Sequence, residues 1–237
     1  MEKKNTILLT VIAVATLLVA VVGATFAYFT ATTGEGDPND TATTGTATTV
    51  GGVNLVMTAD TSSNDIAYPG GYVVAGVNVT ATNSDTTNNY TTTYQVNGTI
   101  TNNTKTQLNW TLYRVTSSIA NPVTPDSCQR QEAAQGDGTT RYWYEDCTLD
   151  ASLTGDTYKV TEGTAAAATT AGTPQETTVT ATGETLDVDA DSDATVYYYL
   201  VVEYPNNASA PQDADQGQTI SVILTNVSNG SSVVRGA

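Results

Sequence analysis

Runs of alternating polarity recur along this chain and constrain its fold more than any other feature. The strongest run extends from Ala194 to Tyr204, and one of its sides would carry Val196, Tyr198, Leu200, Val202 and Tyr204. A period of two is typical of a β-strand that buries one face. Turns rich in Asn, Gly and Pro separate the runs, which amount to about eight to ten short strands. The pattern predicts an all-β fold, a β-sandwich of immunoglobulin-like or jelly-roll type.

The composition supports the same fold class. Thr makes up roughly a fifth of the 237 residues, and Thr favours strands while Asn and Gly favour turns. Trp110 is expected in the core between two sheets, because its large ring must be covered. The Thr-rich stretch at 28–50 lacks large apolar residues after Phe29 and is expected to be a flexible segment. The sandwich domain is then predicted at 51–237, with an irregular insertion at about 116–183.

Charge and missing residue types exclude several functions. The formal net charge is −16, and a surface poor in Lys and Arg is not expected to bind nucleic acid or anionic lipid. The chain contains no His, which removes the usual general base and the commonest metal ligand. Its sequence also lacks a nucleophilic Ser motif and a phosphate-binding Gly loop. We therefore predict that the protein is not an enzyme and needs no cofactor.

The amino terminus has the layout of a secretory signal. Lys3 and Lys4 precede a long apolar run, and Thr25 and Ala27 are small residues two apart, so that a signal peptidase could cut after Ala27. This predicts a hydrophobic signal helix at residues 1–27. The run up to Phe29 is also long enough to span a bilayer, so a retained anchor is the alternative. In either case the domain is exported, and membrane contact is expected only through the uncleaved segment.

The segment ATFAYFTA (Ala24 to Ala31) resembles the processing site of the TasA/camelysin family, exported bacterial proteins cut by a dedicated SipW-type signal peptidase. The resemblance implies cleavage between Ala27 and Tyr28. Looser similarity is found in GGVNLVM (Gly51 to Met57), in YPGGYVVAGVNVTATNS (Tyr68 to Ser84), and in VVEYPNN followed by DQGQTISVIL near the end. It implies a secreted or cell-surface β-sandwich protein from a bacterium or an archaeon. Residues 115–183 match no part of the family.

The chain has two cysteines, Cys128 and Cys147. Export makes a disulfide between them the favoured state. The residues between them contain a Gly136-Asp137-Gly138 turn signal and a return strand, Arg141 to Asp146, so a disulfide closing a hairpin fits. A pair of free redox thiols is the alternative, although the C-x-x-C spacing is missing.

Four acidic residues stand at every second position, Asp187, Asp189, Asp191 and Asp193. The spacing is similar to the start of a calcium-binding loop, but the sixth and twelfth places hold Ser192 and Tyr198 instead of Gly and Glu. Calcium at a looser site is therefore one hypothesis. A solvated acidic turn before the next strand is the other.

Three functions are compatible with these observations. The first is a structural protein of the cell envelope or extracellular matrix, such as a fibre subunit of a biofilm. The second is an adhesin or glycan-binding module that uses exposed aromatic residues, Tyr142, Trp143 and Tyr144. The third, implied by the resemblance alone, is a camelysin-like protease.

The fibre hypothesis includes a route of assembly. Cleavage after Ala27 would release the segment from Tyr28 to Val50, which has strand propensity and an aromatic start. Such a segment can add to a sheet edge of the next subunit, with Phe29 as an anchoring ring. Head-to-tail pairing of this kind produces open filaments. A disordered tail without a partner is the alternative.

Overall fold

The computed structural model describes residues 48–50, 53–61, 63–66, 68–123, 128–134, 136, 138, 140–207, 212–215 and 217–235. Side chains are described between Tyr68 and Leu224. The predicted signal helix, its cleavage site at Ala27 and Tyr28, and the predicted anchor Phe29 lie outside the described residues. Within the described part, no helix has the length and apolar character needed to cross a membrane.

The described chain is all-β, as predicted, with twelve strands and two short 3-10 turns. The strands are β1 (Thr48–Val50), β2 (Val53–Thr61), β3 (Ser63–Ile66), β4 (Tyr72–Asn83), β5 (Tyr90–Asn102), β6 (Leu108–Val115), β7 (Gln129–Ala134), β8 (Thr140–Glu145), β9 (Lys159–Ala165), β10 (Gln175–Val188), β11 (Ser192–Glu203) and β12 (Thr219–Arg235). The 3-10 turns are Ala151–Leu153 and Asp213–Asp215.

The strands form antiparallel sheets. One sheet has six strands in the order β1-β2-β4-β11-β6-β9, and a second has four in the order β10-β5-β12-β3. The two strands β7 and β8 form a separate hairpin. Because β5 pairs with β10 on one side and with β12 on the other, the four-stranded sheet joins distant parts of the chain.

A single core lies between the two large sheets, as in a β-sandwich. The six-stranded sheet contributes alternate residues of β4 and β11, and the four-stranded sheet contributes alternate residues of β5, β10 and β12. The central members include Val79, Tyr94, Ile100, Tyr198 and Leu200, all fully buried. The face predicted from the alternation of β11 is confirmed, since it buries Val196, Tyr198, Leu200, Val202 and Tyr204.

The outer face of the six-stranded sheet is also covered. Tyr113, Tyr199 and Val201 point outward from β6 and β11, and Leu153 from the segment between β8 and β9 packs on them. Both faces of β11 are therefore apolar, which explains the unbroken run of aromatic and aliphatic residues in its second half.

The structure corrects three predictions. The irregular insertion expected at about 116–183 contains β9 and most of β10, which belong to the two sheets, and the part before β9 covers the outer face. The end of the segment predicted to be flexible forms β1, which pairs with β2. Trp110 is half-buried at the margin of the core, and its ring lies over Gly163 of the border strand β9.

Candidate functional site

The last strand presents a main-chain edge that is only partly covered. β12 pairs with β5 from Ile220, opposite Asn102, to Arg235, opposite Tyr90. On its other side, β3 covers only the stretch from Thr219 to Val222. Beyond Val222, β5 is the only strand among the described residues that pairs with β12. The open edge covers 13 residues, about 43 Å at about 3.3 Å per residue.

Two other sheet borders carry features that discourage pairing. Lys159 at the start of β9 forms ion pairs with Asp156 at 2.5 Å and with Glu162 at 3.2 Å. The border strand β10 has a bulge before Glu184. Charges and bulges are common protections of sheet borders. β12 has two register shifts against β5, so its edge is twisted, but a strand added there would lie in line with β3.

The open edge lies on the side of the sandwich that also holds the start of the domain. β2 and β4 of the six-stranded sheet pack against β12. β1 borders β2 and begins at Thr48, the first described residue. The predicted donor segment is therefore joined to the domain next to the strand pair that faces β12.

The predicted cysteine pair is confirmed at disulfide distance. The sulfur atoms of Cys128 and Cys147 lie 2.10 Å apart. They stand at the open end of the β7–β8 hairpin, just outside its terminal pair, Gln129 opposite Glu145. The bond thus closes the hairpin at the end where its two strands join the rest of the chain.

The aromatic residues proposed for glycan binding are half-buried rather than exposed. The ring of Tyr68 lies 5.7 Å from that of Tyr142 and 5.4 Å from that of Tyr144. The backbone N–H of Tyr144 donates to Pro69 O over 2.7 Å. Through these contacts the hairpin packs against the turn before β4.

The side chain of Trp143 contacts other residues of the hairpin. Its Nε1–H donates to Glu145 Oε1 over 3.0 Å, and the Arg141 guanidinium lies 5.7 Å from the ring centre. On the other strand, Arg130 lies 4.9 Å from the ring centre of Tyr142. The aromatic rings of the hairpin thus have partners within the chain, so the observations favour a structural role for them.

The structure does not assemble the four aspartates into a metal site. Asp187 lies on β10 and accepts a hydrogen bond from Thr91 Oγ1, while Asp193 lies on β11. Asp189 and Asp191 occupy the turn between these strands, where Asp191 has a φ of 51°. Among the described residues, no three acidic, Cys or His side chains form a group that could hold a metal ion.

A polar chain joins the two sheets through the core, and the sequence did not predict it. The phenol oxygens of Tyr94 and Tyr198 lie 2.7 Å apart, and Tyr198 donates to Glu184 Oε2 over 2.8 Å. Glu184 also forms an ion pair with Arg114 at 3.3 Å. Burial raises the pKa of both tyrosines above its usual value, so both phenols stay protonated.

A second polar cluster closes one end of the sandwich. Asp215, buried in the loop before β12, accepts hydrogen bonds from Tyr204 Oη at 2.8 Å, from Thr106 Oγ1 at 2.8 Å and from Lys105 N at 2.6 Å. Burial, and then the bond to Asp215, raises the pKa of Tyr204. The alternation of polarity along single strands does not predict such contacts between loops.

Comparisons with known proteins add no relative: no family model, no curated protein and no solved structure matches this chain.

Proposed function

We propose that this protein is a secreted structural protein of the cell envelope or extracellular matrix that assembles into filaments by strand addition. The observation that carries the proposal is the open edge of β12 from Ile223 to Arg235. Unpaired N–H and C=O groups along such an edge are a template for another strand. A strand added beyond the end of β3 would pair with the rest of β12 and so complete the fourth row of this sheet over the core.

The donor would be the segment from Tyr28 to Ala47 of a neighbouring copy. Its 20 residues exceed the 13 residues of the open edge, so the segment is long enough to fill the edge and still reach its own β1. Thr provides strand propensity, and Phe29 provides a ring for an apolar pocket. Because the donor segment and the acceptor edge are different parts of each copy, the contact is head-to-tail and generates an open filament.

We further propose that the sandwich is a jelly roll. The orders β3-β12-β5-β10 and β4-β11-β6-β9 involve eight strands. Counted in chain order, these strands fall into the sheets as 1-8-3-6 and 2-7-4-5, the connectivity of two interlocked Greek keys. That order supports a jelly roll over the immunoglobulin-like alternative, with β1 and β2 as additions at one border.

Secretion, a mature start at Tyr28 and kinship with the TasA/camelysin family belong to the same proposal. They are supported by the layout of Lys3, Lys4, Thr25 and Ala27 and by the resemblance of the segment that follows. Amino-terminal sequencing of protein secreted by its host checks the start. A chain that begins at Met1 in the membrane fraction would instead indicate an anchor.

The assembly proposal is tested by electron microscopy of two purified chains at equal concentration. One begins at Tyr28, and the other begins at Thr48, so that it keeps β1. We expect filaments from the first chain and monomers from the second. A synthetic peptide of residues 28–47 should bind the shorter chain and block filament growth when it is added to the longer one, whereas a scrambled peptide should do neither.

Matched variants at Phe29 test the anchor. Phe29→Leu keeps an apolar side chain and should still form filaments, while Phe29→Ala should raise the concentration needed for assembly. Equal filaments from the chain that begins at Thr48 would overturn donation by this segment. A chain from Tyr28 that stays monomeric and protects residues 28–47 from proteolysis would show that each copy fills its own edge, which also contradicts filament assembly.

A further inference from the structure

Three side chains of complementary reactivity meet at the end of β11, beside the loop between β5 and β6. Thr106 Oγ1 donates a hydrogen bond to Asp215 Oδ2 over 2.8 Å and accepts one from Gln212 Nε2 over 3.1 Å. Asp215 is 3% exposed and Gln212 is 6% exposed. A hydroxyl, a carboxylate and a carboxamide thus meet at Thr106, which is itself half-buried.

The other contacts of Gln212 determine how its amide is turned. Nε2 donates to Pro205 O over 3.0 Å, and this carbonyl can only accept. Oε1 accepts from the backbone N–H of Asn207 over 2.9 Å, and this group can only donate. The amide carbonyl therefore points at a backbone N–H, the type of donor that stabilises negative charge on an oxygen during acyl transfer.

We propose that Thr106 and Gln212 form an intramolecular ester, with Asp215 as the base, so that the folded chain cross-links itself. A hydroxyl held against a carboxylate is the arrangement in which Ser and Thr act as nucleophiles. The fold supplies the acceptor carbonyl at the same point. This modification goes beyond the proposed filament and does not depend on it.

The reaction balances without a co-reactant. Asp215 Oδ2 takes the proton of Thr106 Oγ1 while Oγ1 attacks Gln212 Cδ, and the carbonyl electron pair moves to Oε1 beside Asn207 N–H. As the carbonyl forms again, the Cδ–Nε2 bond breaks, and Asp215 returns the proton to the departing nitrogen. One ester and one ammonia replace one hydroxyl and one primary amide.

The distances permit this attack after a small movement. An amide C–N bond is about 1.33 Å long, so Gln212 Cδ lies within about 4.4 Å of Thr106 Oγ1. Attack needs about 3 to 3.5 Å and an approach to the face of the amide. A shift of the Thr106 hydroxyl out of the amide plane brings it over that face, while the bonds of Gln212 to Pro205 and Asn207 stay in place.

Neighbouring hydrogen-bond donors orient the Asp215 carboxylate, and an adjacent groove lets ammonia leave. Tyr204 Oη donates to the same Asp215 oxygen as Thr106, and Lys105 N–H donates to the other oxygen, so the carboxylate is held in position. These are positioning groups, since neither touches the reacting carbon. A groove of about 610 Å³, lined in part by Gln107 and Asn206, borders the cluster and offers ammonia a path to solvent.

Peptide mapping of the purified full chain tests the proposal. Trypsin cuts after Lys105 and Arg114, so an ester would attach the peptide from Thr106 to Arg114 to the peptide that contains Gln212. The linked species should weigh about 17 Da less than the sum of the two peptides, because one ammonia is lost. Hydroxylamine under mild conditions cleaves esters but leaves peptide bonds intact, so it should separate the two peptides again.

Three variants serve as controls. Thr106→Ser keeps the hydroxyl and should keep the link, whereas Thr106→Val and Asp215→Asn should lose it while circular dichroism still shows the β fold. The wild-type chain alone can overturn the proposal. Unlinked peptides with intact Gln212 would do so, and so would conversion of Gln212 to Glu without a link, a gain of about 1 Da, because water would then be the nucleophile.

Discussion

The phenol oxygens of Tyr94 and Tyr198 lie 2.7 Å apart in the core and join the two sheets by a hydrogen bond. Tyr198 gives its own proton to Glu184, whose carboxylate can only accept, so Tyr94 must be the donor within the pair. The rings also meet edge to face, with centres 6.3 Å apart. A polar chain of this kind stabilises one alignment of the sheets, because a shifted alignment would leave buried polar groups without partners.

Tyr198→Phe is expected to destabilise the domain by about 1–3 kcal/mol. The change leaves the buried Tyr94 hydroxyl without its partner and removes one of the donors to Glu184, which keeps its ion pair with Arg114. Tyr94→Phe leaves only one acceptor without a donor and should cost about 1 kcal/mol. Urea unfolding followed by far-ultraviolet circular dichroism measures both. If the two variants cost the same and their effects add in the double variant, the chain through Tyr198 is not cooperative.

Asp85 is expected to make the domain acid-sensitive. The side chain of Asn88, the N–H of Thr87 and the hydroxyl of Tyr90 donate to its carboxylate, and they lower its pKa from 3.8 to about 2. A lowered folded-state pKa adds stability that is complete above the unfolded-state value and is lost as the pH falls toward the folded-state value. Stability should therefore fall between about pH 4 and pH 2.

Unfolding in urea at several pH values checks the role of Asp85. Asp85→Asn should show a shallower loss over the same pH window and a lower stability at neutral pH. Its amide can still accept from Thr87, but its NH₂ group faces the donors Asn88 and Tyr90. An unchanged acid slope in the variant would assign the acid sensitivity to other carboxylates.

Gly163→Ala is expected to cost about 1–3 kcal/mol. Trp110 and Gly163 are cross-strand partners, and a Cβ at Gly163 would lie 2.7 Å from Cζ2 of the indole. The ring would have to move away from the margin of the core. Gly136→Ala is the matched control, since a Cβ there meets nothing within 4 Å. Thermal unfolding measures the stability of both variants. A Gly163→Ala chain as stable as the unchanged protein would mean that the indole can move aside without cost.

Reduction of the bond between Cys128 and Cys147 should open the hairpin without unfolding the sandwich. A bond that closes a loop of this size contributes about 3 kcal/mol in the chain-entropy model. However, β7 and β8 form a sheet of their own, so the effect should be local. Limited trypsin digestion should cut the reduced chain at Arg130 and Arg141 first. Loss of the whole unfolding transition would show that the hairpin is integral to the core.

The sequence by itself determined the strands and the direction of their side chains. In a strand, successive side chains point to opposite faces, so a local pattern such as Val73, Ala75, Val77 and Val79 is enough to identify the buried face. The same local reasoning found the hairpin and the pair of cysteines that closes it.

Only the tertiary structure decided which strands are neighbours. Alternation has the same form in every strand, so it could not show that β5 lies between β10 and β12 or that β3 leaves most of β12 uncovered. The contacts of Glu184 with Tyr198, and of Asp215 with Thr106, join strands and loops far apart in the chain. Such contacts depend on the long-range register of the sheets, which is set by the burial of the whole core rather than by any local stretch of residues.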